Sequence, residues 1–353
     1  MCCPSRYLAI FISLAIFKEV QNACVDPGIN ADAKAIVDSK FDPKTIASIL
    51  PYRTQEQSIA INTAIAGMNA GKALSDTNHI PVENTKPYDD LIFALVNDSM
   101  TIFSKYLGHY LHFKDETYII MIFIQIDDRV KFKQTYDGQH GRCFDDARKD
   151  QRHPFSNALR VWALGNRVDV SIYKDKDDSC DQGNWLTGEK ETWNKKSRTG
   201  LEGMLMKHTI EYARRGLECY GKSYVPTPHI LDDIKAIITN HDLVDLFTSL
   251  VRYIQDDSDY LAGILHDHCD DKDNFTLWIV VLSTRRTPQA MKCLDKAFQA
   301  AYNGVKLKDF ILKCNTQDTV FRDMLAALVD LSYKPYKITP KQSQPPPESI
   351  NED

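Results

Sequence analysis

Apolar residues recur three and four positions apart along most of the chain, with few alternating runs. That period predicts helices rather than strands. Ile59, Ile61, Ile65 and Met68 form one such face, and Leu205, Ile210, Ala213 and Leu217 form another. Breaks are expected at Gly71, Pro87, Gly138 to Gly141, Gly183 to Gly188, Pro226 to Pro228 and Gly304, which divide the pattern into short helices. The fold class read from this pattern is all-α. The apolar run Tyr7 to Phe17, preceded by Arg6, is too short to span a bilayer as a helix and reads as a signal peptide. Cleavage is expected after Ala23, with Gln21 larger than the small residue usual at that position, and the expected location is therefore secreted.

The pattern repeats. "TIASILPYRTQEQSIAINTAI" (Thr45 to Ile65) and "LWIVVLSTRRTPQAMKCLDKAFQAAY" (Leu277 to Tyr302) each place a Leu (Leu50, Leu282), then an Arg (Arg53, Arg285), then a Gln (Gln57, Gln289) at the same spacing. A second block follows in the same order: "YDDLIFALV" (Tyr88 to Val96) corresponds to "FRDMLAALV" (Phe321 to Val329). "LVDLFTSLV" (Leu243 to Val251) and the looser "PFSNALRVWAL" (Pro154 to Leu164) lie between them. Four blocks spaced on the order of 80 residues apart mark an array of similar helical units, each unable to bury its apolar face alone.

On these motifs the sequence from Asn30 to Tyr333 resembles the annexins. The resemblance implies four units of five helices, at 30–97, 98–166, 167–255 and 256–333, forming a right-handed superhelical, slightly curved disc. Residues 1–23 precede them as the signal peptide and 24–29 as a short N-terminal segment, and the Pro-rich 334–353 follow as an extended tail. It also implies a convex face, built from loops between the first and second helices, that meets acidic phospholipid headgroups through bound calcium.

Calcium takes six to eight oxygens at about 2.3–2.6 Å, so the family's site joins a Gly-x-Gly-Thr turn to a carboxylate about 38 positions later. Every unit departs from that pattern. The first loop, "DSKFDPK" (Asp38 to Lys44), has no Gly and two lysines. The second, "HFKDETY", offers Asp115 and Glu116, with its closing carboxylate at or near Asp150. The third, "DQGNWLTGEKE", offers Gly183, Thr187, Gly188 and Glu189. Its closing position falls near Ile237, where Asp232 or Asp233 could serve after a shift of register. The fourth, "DDKDNF" (Asp270 to Phe275), is acidic without Gly and closes near Lys313 or Cys314. Calcium dependence is therefore expected to be weak, rearranged or lost. Trp185 and Leu186 match the position of an exposed, lipid-inserting Trp in the family's third loop, whereas Trp193 and Trp278 follow the helical period and read as core. Arg53 and Arg285 close short helices and read as caps on the last carbonyls.

Charge and cysteines refine the picture. A net charge of −5 without a basic stripe argues against nucleic acid. Seven cysteines follow Ala23, too sparse and unpaired in spacing to announce a disulfide framework, and most read as buried core residues. Secretion would open two glycan acceptor triplets, at Asn97 and Asn274. "HDHC" (His266 to Cys269) lacks the second pair of a zinc site, and "DKDDSCDQG" (Asp175 to Gly183) lacks the Gly and Glu of an EF-hand loop. Phosphate-loop, nucleophile-elbow and His-Glu-x-x-His motifs are absent, so the chain does not read as an enzyme. Two readings stand: a peripheral binder of acidic phospholipid, or a secreted, calcium-independent scaffold that holds a protein partner on the same disc.

Overall fold

The computed structural model describes residues 27–69, 71–79, 87–151, 154–164, 177–188, 190–193, 199–222, 229–269, 275–314 and 318–330. The expected signal peptide, the tail, Glu189 and the Asp270 to Asn274 stretch lie outside them. The first unit comprises α1 (Pro27–Asp38), α2 (Pro43–Ile49), α3 (Gln55–Met68), a 3-10 turn Leu74–His79 and α4 (Pro87–Leu95). The second comprises α5 (Ser99–Phe113), α6 (Glu116–Phe123), α7 (Arg129–His140), α8 (Phe144–Lys149) and α9 (Phe155–Leu164). The third has α10 (Asp177–Gly188), α11 (Thr199–Glu202) running into a π-turn Gly203–Lys207, α12 (Ile210–Cys219), α13 (Ile230–Ile237) and α14 (His241–Gln255). The fourth has α15 (Asp257–Asp267), α16 (Thr276–Thr284), α17 (Pro288–Ala301), α18 (Leu307–Ile311) and α19 (Thr319–Val329). The architecture is the all-α array of four repeats that the periodicity predicts.

Helix starts are written locally. Side chains of Asp42, Asp98, Asp115, Asp128, Thr209, Asn240, Thr287 and Asp318 accept backbone N–H groups from the first turns they precede. Thr54 and Gln57 form a reciprocal capping box at α3. Asp256 ends α14 and caps α15, so a single residue joins two units.

The core forms where these amphipathic faces meet. Helix α16 is buried along its length from Thr276 to Ser283 and packs against α4, α5, α6 and α19; a helix apolar on all sides belongs in such a position. Helix α19 covers α2, joining the fourth unit to the first, and α6 meets α14, joining the second to the third. Two arginines fasten these pairs. Arg286 donates to the carbonyls of Leu95 (2.7 Å), Leu50 (2.8 Å) and Arg53, and to the Ser58 hydroxyl (2.9 Å). Arg129, buried over the Trp162 ring, donates to the Trp162 carbonyl (2.8 Å) and, across the unit boundary, to that of Met206.

Several local expectations are corrected. Gly183 to Gly188 do not break a helix: they are the end of α10. Leu205 does not share a helix with Ile210, Ala213 and Leu217, because the π-turn and the Thr209 cap separate them. Gly138 lies within α7, which Gly141 ends in a left-handed conformation (φ 62°). Met68 is exposed although Ile61 and Ile65 on its helix are fully buried. The cysteines are not merely core: Cys180 is bonded to Cys219 and Cys269 to Cys314, each pair within one unit. Their spacings of 39 and 45 residues hid the pairing. Arg53 reaches the Tyr52 carbonyl (3.4 Å), but its main partner is the first-helix carboxylate Asp32 (2.7 and 3.2 Å), and Arg285 donates to the first-helix carboxylate Asp257 (2.8 Å) and the Tyr253 hydroxyl (3.2 Å) rather than to helix carbonyls.

Candidate functional site

In the first and second units the loop between first and second helices keeps a tight turn without glycine. In the first unit Lys40 (φ 57°) and Phe41 (φ 62°) both take the left-handed conformation, which normally favours glycine. The turn is held by Phe41 N–H on the Ile36 carbonyl (3.0 Å) and the Ser39 hydroxyl on the same oxygen (2.8 Å). Lys40 is exposed, while Phe41 packs against the core. The Asp42 carboxylate is committed to capping: the Thr45 N–H and hydroxyl hold its pKa below the usual carboxylate value.

In the second unit Lys114 (φ 58°) ends α5 in the same left-handed state, and Phe113 beside it is 56% exposed. Asp115 faces the Tyr118 N–H as the cap of α6, and Glu116 occupies the first turn of that helix. Asp150 pairs with Arg142 (3.3 Å). Its neighbour Gln151, buried, reaches the last turn of α5 instead and donates to the Leu111 carbonyl at 2.7 Å.

The third unit departs furthest from expectation. Gly183 is a helix-crossing residue: a Cβ built there would lie 2.1 Å from the Gly216 carbonyl oxygen on α12. The Thr187 hydroxyl donates to the Gly183 carbonyl (3.2 Å) and accepts from the Gly221 N–H (3.0 Å), closing the turn after α12. Gly188 is the last residue of α10. Leu186 is 1% exposed and belongs to the core, so it cannot be a lipid contact in this conformation. Trp185 is 52% exposed, on the outside of α10 with its ring edge over Gly200, not at a loop tip. Asp233, the candidate closing carboxylate, accepts an ion pair from Lys190 (2.6 Å) and a hydrogen bond from the Tyr220 hydroxyl (2.8 Å).

In the fourth unit Cys269, just past α15, is joined to Cys314, just past α18. Of the glycan positions, Asn97 turns its side-chain nitrogen inward to the Phe93 carbonyl (2.8 Å), while Asn274 lies outside the described residues.

These placements decide whether calcium fits. Among the described residues no three His, Cys, Asp or Glu side chains gather closely enough to hold a metal ion. Of the carboxylates expected as ligands, Asp115 serves as a helix cap and Asp150 and Asp233 face cations, and the expected third-unit turn is helical. The described residues do not fit the calcium arrangement that the resemblance implies. Sequence reasoning missed Lys190, Gln151 and the Cys269–Cys314 pair, although Cys314 falls at the closing position of the fourth unit.

No family model and no curated protein matches the sequence. Among solved structures, the chain is similar to annexin III (18% identity, 85% of this chain and 93% of that one, TM-score 0.70). It is also similar to a mutant of annexin A8 with an intact N-terminus (19%, 85% and 94%, 0.71) and to calcium-bound alpha-14 giardin (12%, 87% and 100%, 0.65). Identities this low establish architecture and leave binding open. The chain therefore has the annexin fold, in a divergent form.

Proposed function

We propose that the chain is a peripheral membrane protein that binds acidic phospholipid surfaces through its inter-helix loops, with little or no help from calcium. The observation that carries this reading is the exposed Phe113 beside Lys114, an apolar anchor next to a cation at a loop tip. Leu312 (41% exposed) beside Lys313 at the end of the fourth unit's α18, Lys40 in the first loop, and exposed Trp185 extend the pattern. Phe113, Lys114 and Lys40 lie at first-helix ends and Leu312 and Lys313 at a fourth-helix end. Apolar side chains gain on entering the headgroup boundary, and each lysine near an anionic surface contributes about 1 kcal/mol. The two disulfides fit an oxidising compartment and so support secretion. Structures of calcium-bound giardins and of chicken annexin V with zinc indicate that the fold can hold metal ions elsewhere, without carrying such a site to these loops.

Cosedimentation with phosphatidylserine vesicles tests the reading. Retention is expected in millimolar calcium and in chelator alike, with none on phosphatidylcholine. Replacing Lys40, Lys114 and Lys313 together by Gln is expected to weaken binding on the order of 100-fold at low salt. No retention on anionic vesicles in either condition would move the assignment to a protein-binding scaffold.

A further inference from the structure

In three units, a residue in or just beyond the fourth helix is linked back to the end of the first helix or the loop after it, and the three links differ in chemistry. The second unit uses a buried amide hydrogen bond, Gln151 to the Leu111 carbonyl (2.7 Å). The third uses an ion pair, Lys190 to Asp233 (2.6 Å), with the ammonium also 5.7 Å from the Tyr220 ring centroid and Tyr220 bonded to the same carboxylate. The fourth uses a covalent bond, Cys269 to Cys314. One structural position is thus bridged in three units by three unrelated chemistries.

We infer that these links are internal substitutes for a bridging cation: the chain closes its own loops, and the loop face is shaped independently of metal. In the third unit the substitution is direct, because the Lys190 ammonium supplies the positive charge that Asp233 faces. An ammonium carried on the chain needs no free ion, and a disulfide restrains the ends it joins without any charge. The loop face of the fourth unit should then depend on the Cys269–Cys314 bond, and the other two should not. This inference concerns loop closure alone and holds whether or not the surface meets lipid.

Hydrogen exchange on the full chain, followed by mass spectrometry, tests it without lipid present. Wild-type peptides covering 109–118, 188–193 and 262–269 are expected to exchange equally in millimolar calcium and in chelator. Lys190→Met is expected to speed exchange in 188–193 by about five- to tenfold, leaving the second unit's loop unchanged. Lys190→Arg is expected to restore most of the protection. Cys269→Ser with Cys314→Ser, which leaves the Cys180–Cys219 bond of the third unit intact, is expected to speed exchange only in the fourth unit's peptide. Calcium-dependent protection of these loops in the wild type would overturn the inference with no variant needed. So would an unchanged 188–193 peptide in a Lys190→Met protein whose far-ultraviolet circular dichroism is native.

Discussion

Gly183 lies where α10 crosses α12, and the absence of a side chain lets the two backbones meet beside the Cys180–Cys219 bond. A methyl group there would collide with backbone, which cannot rotate away. Gly183→Ala is therefore expected to cost about 1–3 kcal/mol in a urea titration, with the helices forced apart. A purely metal-turn role would leave stability in chelator unchanged. His140 presents a different residue-scale effect. Its ring packs on Tyr136 (4.3 Å between centroids) and against Gly108, with Nε2 3.0 Å from the Ser104 carbonyl. Burial, opposed in part by that carbonyl, pushes its pKa below the ordinary 6.5. The folded state thus favours the neutral ring, and the unfolded chain takes up a proton first as pH falls. Stability from this residue is present above about pH 6.5 and is lost as pH drops through the folded value. Denaturation midpoints are expected to fall between pH 7 and 5, and His140→Gln is expected to flatten that slope.

At the scale of elements, the helices are short and depend on their ends. The capping box at α3 satisfies two backbone groups reciprocally through Thr54 and Gln57. Thr54→Ala is expected to lower stability by about 1 kcal/mol, measured by the shift of the urea midpoint at constant slope. These starts are legible because a cap and the helix it begins are neighbours in sequence. The π-turn Gly203–Lys207 is not: its buried Met204, Leu205 and Met206 continue a helical-looking apolar pattern, and the interruption serves contact with a different unit, through the Met206 carbonyl and Arg129. Gly183 to Gly188 mislead for the opposite reason. Two glycines near a Trp suggest a loop, yet here they lie in α10, one of them buried where two helices cross.

Across the whole molecule, four repeats become one body through a few long-range polar contacts set in an apolar core. Arg286 reaches three carbonyls and a hydroxyl of the first unit and its junction with the second, more than 190 residues away in sequence. Removing it would strand several buried acceptors at once. Arg286→Met is expected to cost at least about 3 kcal/mol and to loosen the pairing of first and fourth units before the rest unfolds, read as a second transition in calorimetry. An open pocket of about 370 Å³ lies where the second, third and fourth units meet, with Asp127, Asp257 and Arg285 on its wall.

The sequence by itself determined the all-α class, the four-fold repetition and the core role of Trp193 and Trp278, because each of these is written in local spacing and burial period. It also determined that the calcium pattern was broken, since the missing glycines can be read directly. Tertiary structure alone decided what replaced it. Which cation faces Asp233, which amide faces the Leu111 carbonyl and which thiol meets Cys314 depend on helices 40 or so residues apart being brought side by side. A side chain's type announces what bond it can form; only the packed repeat fixes which partner comes within reach.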